Sequence, residues 1–143
     1  EICKVLQLEY DPIRKTVDGE EKKLKRVLLV DDNAFQIRVL SSILQERYEV
    51  QLATSGMEAL TIIGNRKPDI IFLDYEMPDF DGKMTFQMIK DIDGAEDIPV
   101  FFLTGVKDRA HIQAVLDLKP AGYLLKPASA EMIYEVTNKY LEK

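Results

Sequence analysis

"DIIFLDYEMPDFDG", residues 69–82, decides the fold. Its first five residues are mostly strand-favouring and apolar; they run into Asp74 and then into a loop rich in acid, proline and glycine. A short run with no polar face forms a strand buried on both sides, which is the situation of a parallel sheet covered by helices on each face. A buried strand that ends on a carboxylate needs a reason for the carboxylate.

Working outward, the same kind of run recurs. "RVLLV" (26–30) is a first strand of this type, "YEVQLA" (48–53) a second, "DIIFLD" (69–74) the third, "IPVFFLT" (98–104) the fourth and "AGYLLK" (121–126) the fifth. Helical spacing fills the intervals. Phe35, Ile37, Leu40, Ile43 and Leu44 mark one helix. Ser55 with Glu58 forms a capping box that opens another through Ala59, Leu60 and Ile63. A helix is expected near 83–92, another near 107–118 with Ala110, Ala114, Val115 and Leu118 on one side, and a last one capped by Ser129 and carrying Ile133, Val136 and Tyr140. Five strands alternating with five helices predict an α/β fold with a doubly wound parallel sheet.

The 143 residues, 46% hydrophobic and 31% charged, suit one compact domain. Residues 1–25 hold six acidic and six basic side chains, so the whole net charge of −6 falls on residues 26–143. An acidic domain is a poor partner for nucleic acid, and direct nucleic-acid binding is not expected. One cysteine, Cys3, excludes an intrachain disulfide, and no apolar run approaches the roughly 20 residues that span a bilayer, so a cytoplasmic protein without membrane contact is expected. The chain opens on Glu1 instead of Met, which points to a piece of a longer protein. Residues 11–25 combine Asp-Pro, Asp-Gly and mixed charge, the chemistry of turn and linker. The expected division is an N-terminal extension or linker over 1–25, with residues 1–10 as a strand or short helix, followed by one domain over 26–143.

In open parallel sheets ligands bind beyond the carboxyl ends of the strands. Those ends carry Asp31 and Asp32, Asp74, Thr104 and Lys126. Alone, each has an ordinary reading: Asp31 and Asp32 compete with Asn33 to cap the next helix, Thr104 ends a strand, and Lys126 is a surface lysine. Together they put three carboxylates, a hydroxyl and an ammonium on one edge. Three close carboxylates either raise their pKa values or hold a cation. Oxygen-only ligands suit a hard ion, and Mg²⁺ is the ion that works with few protein ligands and a phosphate. A carboxylate also serves as a nucleophile that forms an acyl phosphate, with Lys126 and the metal neutralising the transferring group and Thr104 hydrogen-bonding one of its oxygens. Asp74 is then the reacting group, fixed by the burial of its strand.

"VLLVDDNA", "IIFLDYEMPDFDG", "VFFLTG" and "AGYLLKP" together resemble the receiver domain of two-component response regulators, over residues 26 to about 142. The resemblance implies a flavodoxin-like fold with strand order 2-1-3-4-5. It implies Asp74 as phosphoacceptor, Asp31 and Asp32 as metal acids, and the backbone carbonyl of Glu76 completing a Mg²⁺ shell. Lys126 becomes the phosphate-contacting lysine before a cis bond to Pro127, Thr104 the switch hydroxyl and Tyr123 the switch aromatic. It further implies a histidine kinase or histidine phosphotransfer protein as phosphodonor, so that His111, the only histidine, belongs to a solvated helix face. The output is expected in a downstream domain or protein absent from this chain, since only Glu142 and Lys143 follow the last helix.

Ala128 stands where the family often has a bulky residue, which departs from its usual dimer face and leaves a homodimer open. Met77, Met84, Met88 and Met132 read as packing, and Pro78, Asp79 and Asp81 as turn chemistry. Three alternatives stand beside the receiver. A haloacid-dehalogenase-like phosphatase also uses a strand-end Asp and a second acid two residues on, the offset of Glu76. A flavodoxin shares the topology but needs a Ser/Thr-rich phosphate loop where this chain has "DDNAF". A degenerate receiver would act only as an interaction module.

Overall fold

The computed structural model describes residues 13–17, 20–77, 82–105 and 109–141, with side chains from Leu24 onward except His111. The readings of residues 1–10, of Pro78, Asp79 and Asp81, and of the His111 side chain lie outside the described residues. Two short strands come first, β1 (Ile13–Val17) and β2 (Glu20–Lys23), paired antiparallel as a separate two-stranded sheet. The segment expected to be turn and linker is thus a hairpin. Ile13, Thr16 and Val17 favour extended backbone, and Asp18-Gly19, the pair between the strands in sequence, is a strong hairpin signal.

The main sheet has five strands: β3 (Arg26–Val30), β4 (Glu49–Ala53), β5 (Ile70–Asp74), β6 (Val100–Thr104) and β7 (Gly122–Leu125). All neighbouring pairs are parallel, in the order β4-β3-β5-β6-β7, which is 2-1-3-4-5 when only this sheet is counted. The helices α1 (Ala34–Leu44), α2 (Gly56–Asn65), α3 (Gly82–Lys90), α4 (Arg109–Asp117) and α5 (Ala130–Leu141) fill the intervals. The expected doubly wound, flavodoxin-like sheet is present.

Every residue of β5 and β6 is buried. Alternate residues feed two separate cores, because successive side chains on a strand point to opposite faces. Leu28, Val30, Ile71, Leu73, Val100 and Phe102 pack with Ala59 and Ile63 of α2, Phe86 and Ile89 of α3 and Val115 of α4. Val27, Leu29, Ile70, Phe72, Phe101 and Leu103 pack with Ile37 and Leu44 of α1 and Ile133 of α5. The two cores hold the central strands from both sides and fix where their carboxyl ends lie.

The helix caps follow the sequence signals. Asn33 caps α1 by accepting the Gln36 N–H at 3.2 Å, Ser55 caps α2 by accepting the Glu58 N–H at 3.1 Å, and Ser129 accepts the Met132 N–H at 3.2 Å at the start of α5. The return half of the capping box is shifted by one residue, with Glu58 accepting the N–H of Thr54 at 2.7 Å. Some apolar assignments do not hold. Ala110 and Ala114 face solvent and only Val115 of that group is fully buried, while Phe35, Ile43, Met84 and Met88 are exposed. Helical spacing marks an apolar stripe without saying how much of it the sheet can cover. Among the described residues no helix is long and apolar enough to cross a membrane.

Candidate functional site

The register of the sheet brings the strand ends together. Val30 is paired with Leu73, Asp74 with Leu103 and Thr104 with Leu125, so Asp31, Asp74, Thr104 and Lys126 fall along one rim. Parallel-type backbone bonds continue one step past the strands: Asp31 N–H donates to Ala53 O at 3.1 Å, Tyr75 N–H to Leu103 O at 2.8 Å and Lys126 N–H to Thr104 O at 2.8 Å. Each site residue is therefore anchored through its main chain. The Lys126–Pro127 bond is cis.

Asp31, Asp32 and Asp74 each bring a carboxylate oxygen within 4.8 Å of the other two. Asp31 and Asp74 are buried and Asp32 is exposed. Asp31 does not cap α1; its Oδ1 accepts the Asn33 N–H at 2.9 Å, and Asn33 does the capping. The Lys126 ammonium lies 3.0 Å from Asp74 Oδ1 and 3.2 Å from Asp31 Oδ2, and Asp74 Oδ1 also accepts the Glu76 N–H at 3.2 Å.

Burial pushes the Asp74 carboxyl up to about 6; the hydrogen bond from Lys126 opposes this, the charge of Asp31 adds to it, and the Lys126 charge and the Glu76 amide again oppose it. Burial alone would lower the Lys126 pKa. The Asp74 hydrogen bond and the charges of Asp74 and Asp31 outweigh it and raise the lysine above its ordinary value, so Lys126 stays an ammonium. One cation among three carboxylates leaves the rim net negative. The donors are all oxygen, the set that suits a hard divalent ion.

Thr104 is fully buried, and its hydroxyl donates to Glu76 Oε2. Glu76 Oε1 accepts the Gly105 N–H at 3.0 Å. The grip of the Glu76 side chain on the end of the neighbouring strand has no local sequence signal. Tyr123 is half-buried and packs on the α2–α4 side of the sheet. Gly82 opens α3 against the end of β5, its N–H donating to Tyr75 O at 3.2 Å.

A groove of about 210 Å³ opens beside the rim, lined by Asp31, Lys126 and Leu103 and by Phe35 and Val39 of α1. Phe35 is 76% exposed, and Val39 and Ile43 continue its stripe at helical spacing.

Comparison with known proteins gives the same picture. The family described as response regulator receiver domain matches residues 27–138. Sporulation initiation phosphotransferase F of Bacillus subtilis is 31% identical over 119 residues, covering 82% of this chain and 94% of that protein. A probable cyclic di-GMP phosphodiesterase of Vibrio cholerae is 32% identical over 116 residues, covering 81% of this chain. The chain spans about a quarter of the length of that protein and of the response regulator PleD of Caulobacter vibrioides, covering 26% and 24% of them. The crystal structure of the chemotaxis protein CheY4 of Vibrio cholerae superposes with a TM-score of 0.76 at 27% identity, covering 82% of this chain and 99% of that one. It is the family match over residues 27–138, and not the sheet order, that separates this chain from the flavodoxin and phosphatase alternatives. The chain belongs to the response regulator receiver domain family, the phosphoacceptor signalling domains of two-component systems.

Proposed function

We propose that Asp74 is the phosphoacceptor and that its carboxylate takes a phosphoryl group from a phosphohistidine of a histidine kinase or histidine phosphotransfer protein. The observation that carries this reading is the pairing of the buried Asp74 carboxylate with the Lys126 ammonium at 3.0 Å, on a rim that also holds Asp31 and Asp32. An Asp74 oxygen attacks phosphorus, the P–N bond of the donor breaks with its electron pair going to the imidazole nitrogen, and that nitrogen takes up a proton. The product is an acyl phosphate. Lys126, held protonated, stays beside the charge that builds on the transferring group. Asp31, Asp32 and Asp74, with the Glu76 carbonyl, would hold Mg²⁺, which when bound would supply charge neutralisation for the transfer.

Thr104 and Tyr123 carry the state of the site outward. A hydroxyl drawn to a phosphoryl oxygen alters the space beside the Tyr123 ring and, through it, the surface of β7. Phe35 and Val39 border the groove that leads to Asp31 and Lys126, and Ile43 extends their exposed stripe, which suits this face to receive the donor protein. The domain turns over nothing but its own phosphoryl group. Glu76 stands at the offset of a haloacid-dehalogenase acid, yet its carboxylate is engaged by Thr104 and Gly105. Residues 1–25 are an N-terminal extension outside the receiver, the output lies in another domain or protein, and the setting is cytoplasmic.

The test is labelling by acetyl phosphate with Mg²⁺. One phosphoryl group per chain is expected, labile to base and hydroxylamine, and absent with EDTA or in Asp74→Asn. Labelling of folded Asp74→Asn at the wild-type rate would refute the assignment.

A further inference from the structure

Glu76 holds on to both strand ends at once. Its N–H donates to Asp74 Oδ1 at 3.2 Å, while its carboxylate accepts the Thr104 hydroxyl through Oε2 and the Gly105 N–H through Oε1 at 3.0 Å. The two donors it occupies, a buried hydroxyl and a backbone amide, belong to the two residues that follow Leu103, the residue paired with Asp74 across the sheet, so they stand at the neighbouring strand end. A hydroxyl has one proton and donates to one acceptor at a time. Glu76 and a phosphoryl oxygen therefore exclude each other at Thr104, and their like charges reinforce the exclusion.

We propose that Glu76 is a positioning residue whose carboxylate stands in for the phosphoryl group before transfer. It holds the Thr104 hydroxyl and the Gly105 amide turned toward the site and gives them up when Asp74 is phosphorylated. Glu76 is exposed at the protein surface, so on release its carboxylate passes into water with little cost of desolvation. Release of Glu76 is then what frees the Thr104 hydroxyl to turn to its new acceptor. The device has two opposed effects: the donors are ordered in advance, and the incoming group has to displace a charged competitor. This inference rests on the phosphoacceptor reading above.

The test uses beryllofluoride, which mimics the acyl phosphate, titrated into the 143-residue chain at saturating Mg²⁺ and followed by the Gly105 amide resonance. In Glu76→Ala the beryllofluoride midpoint should fall about three- to tenfold, the effect of removing one charge-assisted acceptor from a partly solvated site. The Gly105 amide of that variant, without beryllofluoride, should shift upfield. Glu76→Gln keeps an acceptor oxygen and loses the charge, so it should fall between the two. In the wild type, beryllofluoride should move the Glu76 side-chain carboxyl carbon to its solvent-exposed position. A wild-type midpoint in both variants, with the Gly105 amide and the Glu76 carbon unmoved, overturns the stand-in. A wild-type chain that neither binds beryllofluoride nor labels from acetyl phosphate overturns the phosphoacceptor reading itself, and is seen before any variant is made.

Discussion

The Lys126 ammonium sits 3.0 Å from a carboxylate oxygen of Asp74, and it shares itself with Asp31 at 3.2 Å. A single positive charge thus holds together two buried acids whose strands would otherwise end in mutual repulsion. Replacing Lys126 with Met keeps most of the stem and removes the charge. Labelling of Asp74 should slow on the order of 100-fold or more, the scale of losing one preorganised charge at a reacting centre. Mg²⁺ binding, measured by calorimetry, should persist and tighten, because the ammonium no longer competes for the carboxylates. Labelling at the wild-type rate would remove the lysine from the reaction.

The raised pKa of Asp74 predicts a pH dependence. A carboxyl at about 6 in the folded chain and 3.8 when unfolded binds its proton more tightly in the folded state. Its ionisation therefore removes stability as pH rises between those values and removes none below them. In metal-free protein at pH 7, Asp74→Asn should be more stable than the wild type by about 1 to 3 kcal/mol. The difference should vanish near pH 4 and shrink when Mg²⁺ is added. Denaturant midpoints that are parallel from pH 4 to 7 would contradict it.

Gly82 has no room for a side chain. A Cβ there would stand 2.4 Å from the Asp74 carbonyl oxygen and 2.7 Å from the Tyr75 Cα, both backbone atoms that cannot turn away. Gly82→Ala should cost roughly 1 to 3 kcal/mol by overpacking and should displace the end of β5, slowing labelling as well. Equal stability and equal labelling would mean that α3 can retreat without cost.

Glu49 tests the opposite end of the sheet. It is buried at the start of β4, 3.3 Å from the Arg26 Nε and 2.9 Å from an Arg66 guanidinium nitrogen. Glu49→Gln leaves the partly buried Arg26 without its counter-charge and should destabilise by about 1 to 3 kcal/mol. Labelling of Asp74 should be unchanged, since the acid lies at the amino ends of the strands. A labelling defect in the folded variant would show coupling along the whole length of the sheet.

The sheet was legible because its strands are short, apolar and bounded. Ile70–Asp74 and Val100–Thr104 have no polar face, the pattern of a strand covered on both sides, and the helical spacing between the runs points to a parallel sheet. The rim was legible for the same reason, since four of the five strands carry a candidate residue at or one position past their carboxyl end. What escaped reading depends on contacts between distant residues. The bond from Thr104 to Glu76 spans 28 positions, and the exposure of Phe35, Met84 and Met88 depends on how much of each helix the sheet covers. The hairpin β1–β2 escaped for a different reason: its charged strands lack the apolar alternation that marks a strand against a core.

The division of the interior into two cores has a consequence for traffic around the molecule. Phe35 and Val39 belong to the layer with α1 and α5, whereas Tyr123 packs into the layer with α2, α3 and α4, and the sheet lies between them. A protein seated on one layer does not block the other. Two partners that each covered only one of these layers would be kept apart by the thickness of the five-stranded sheet.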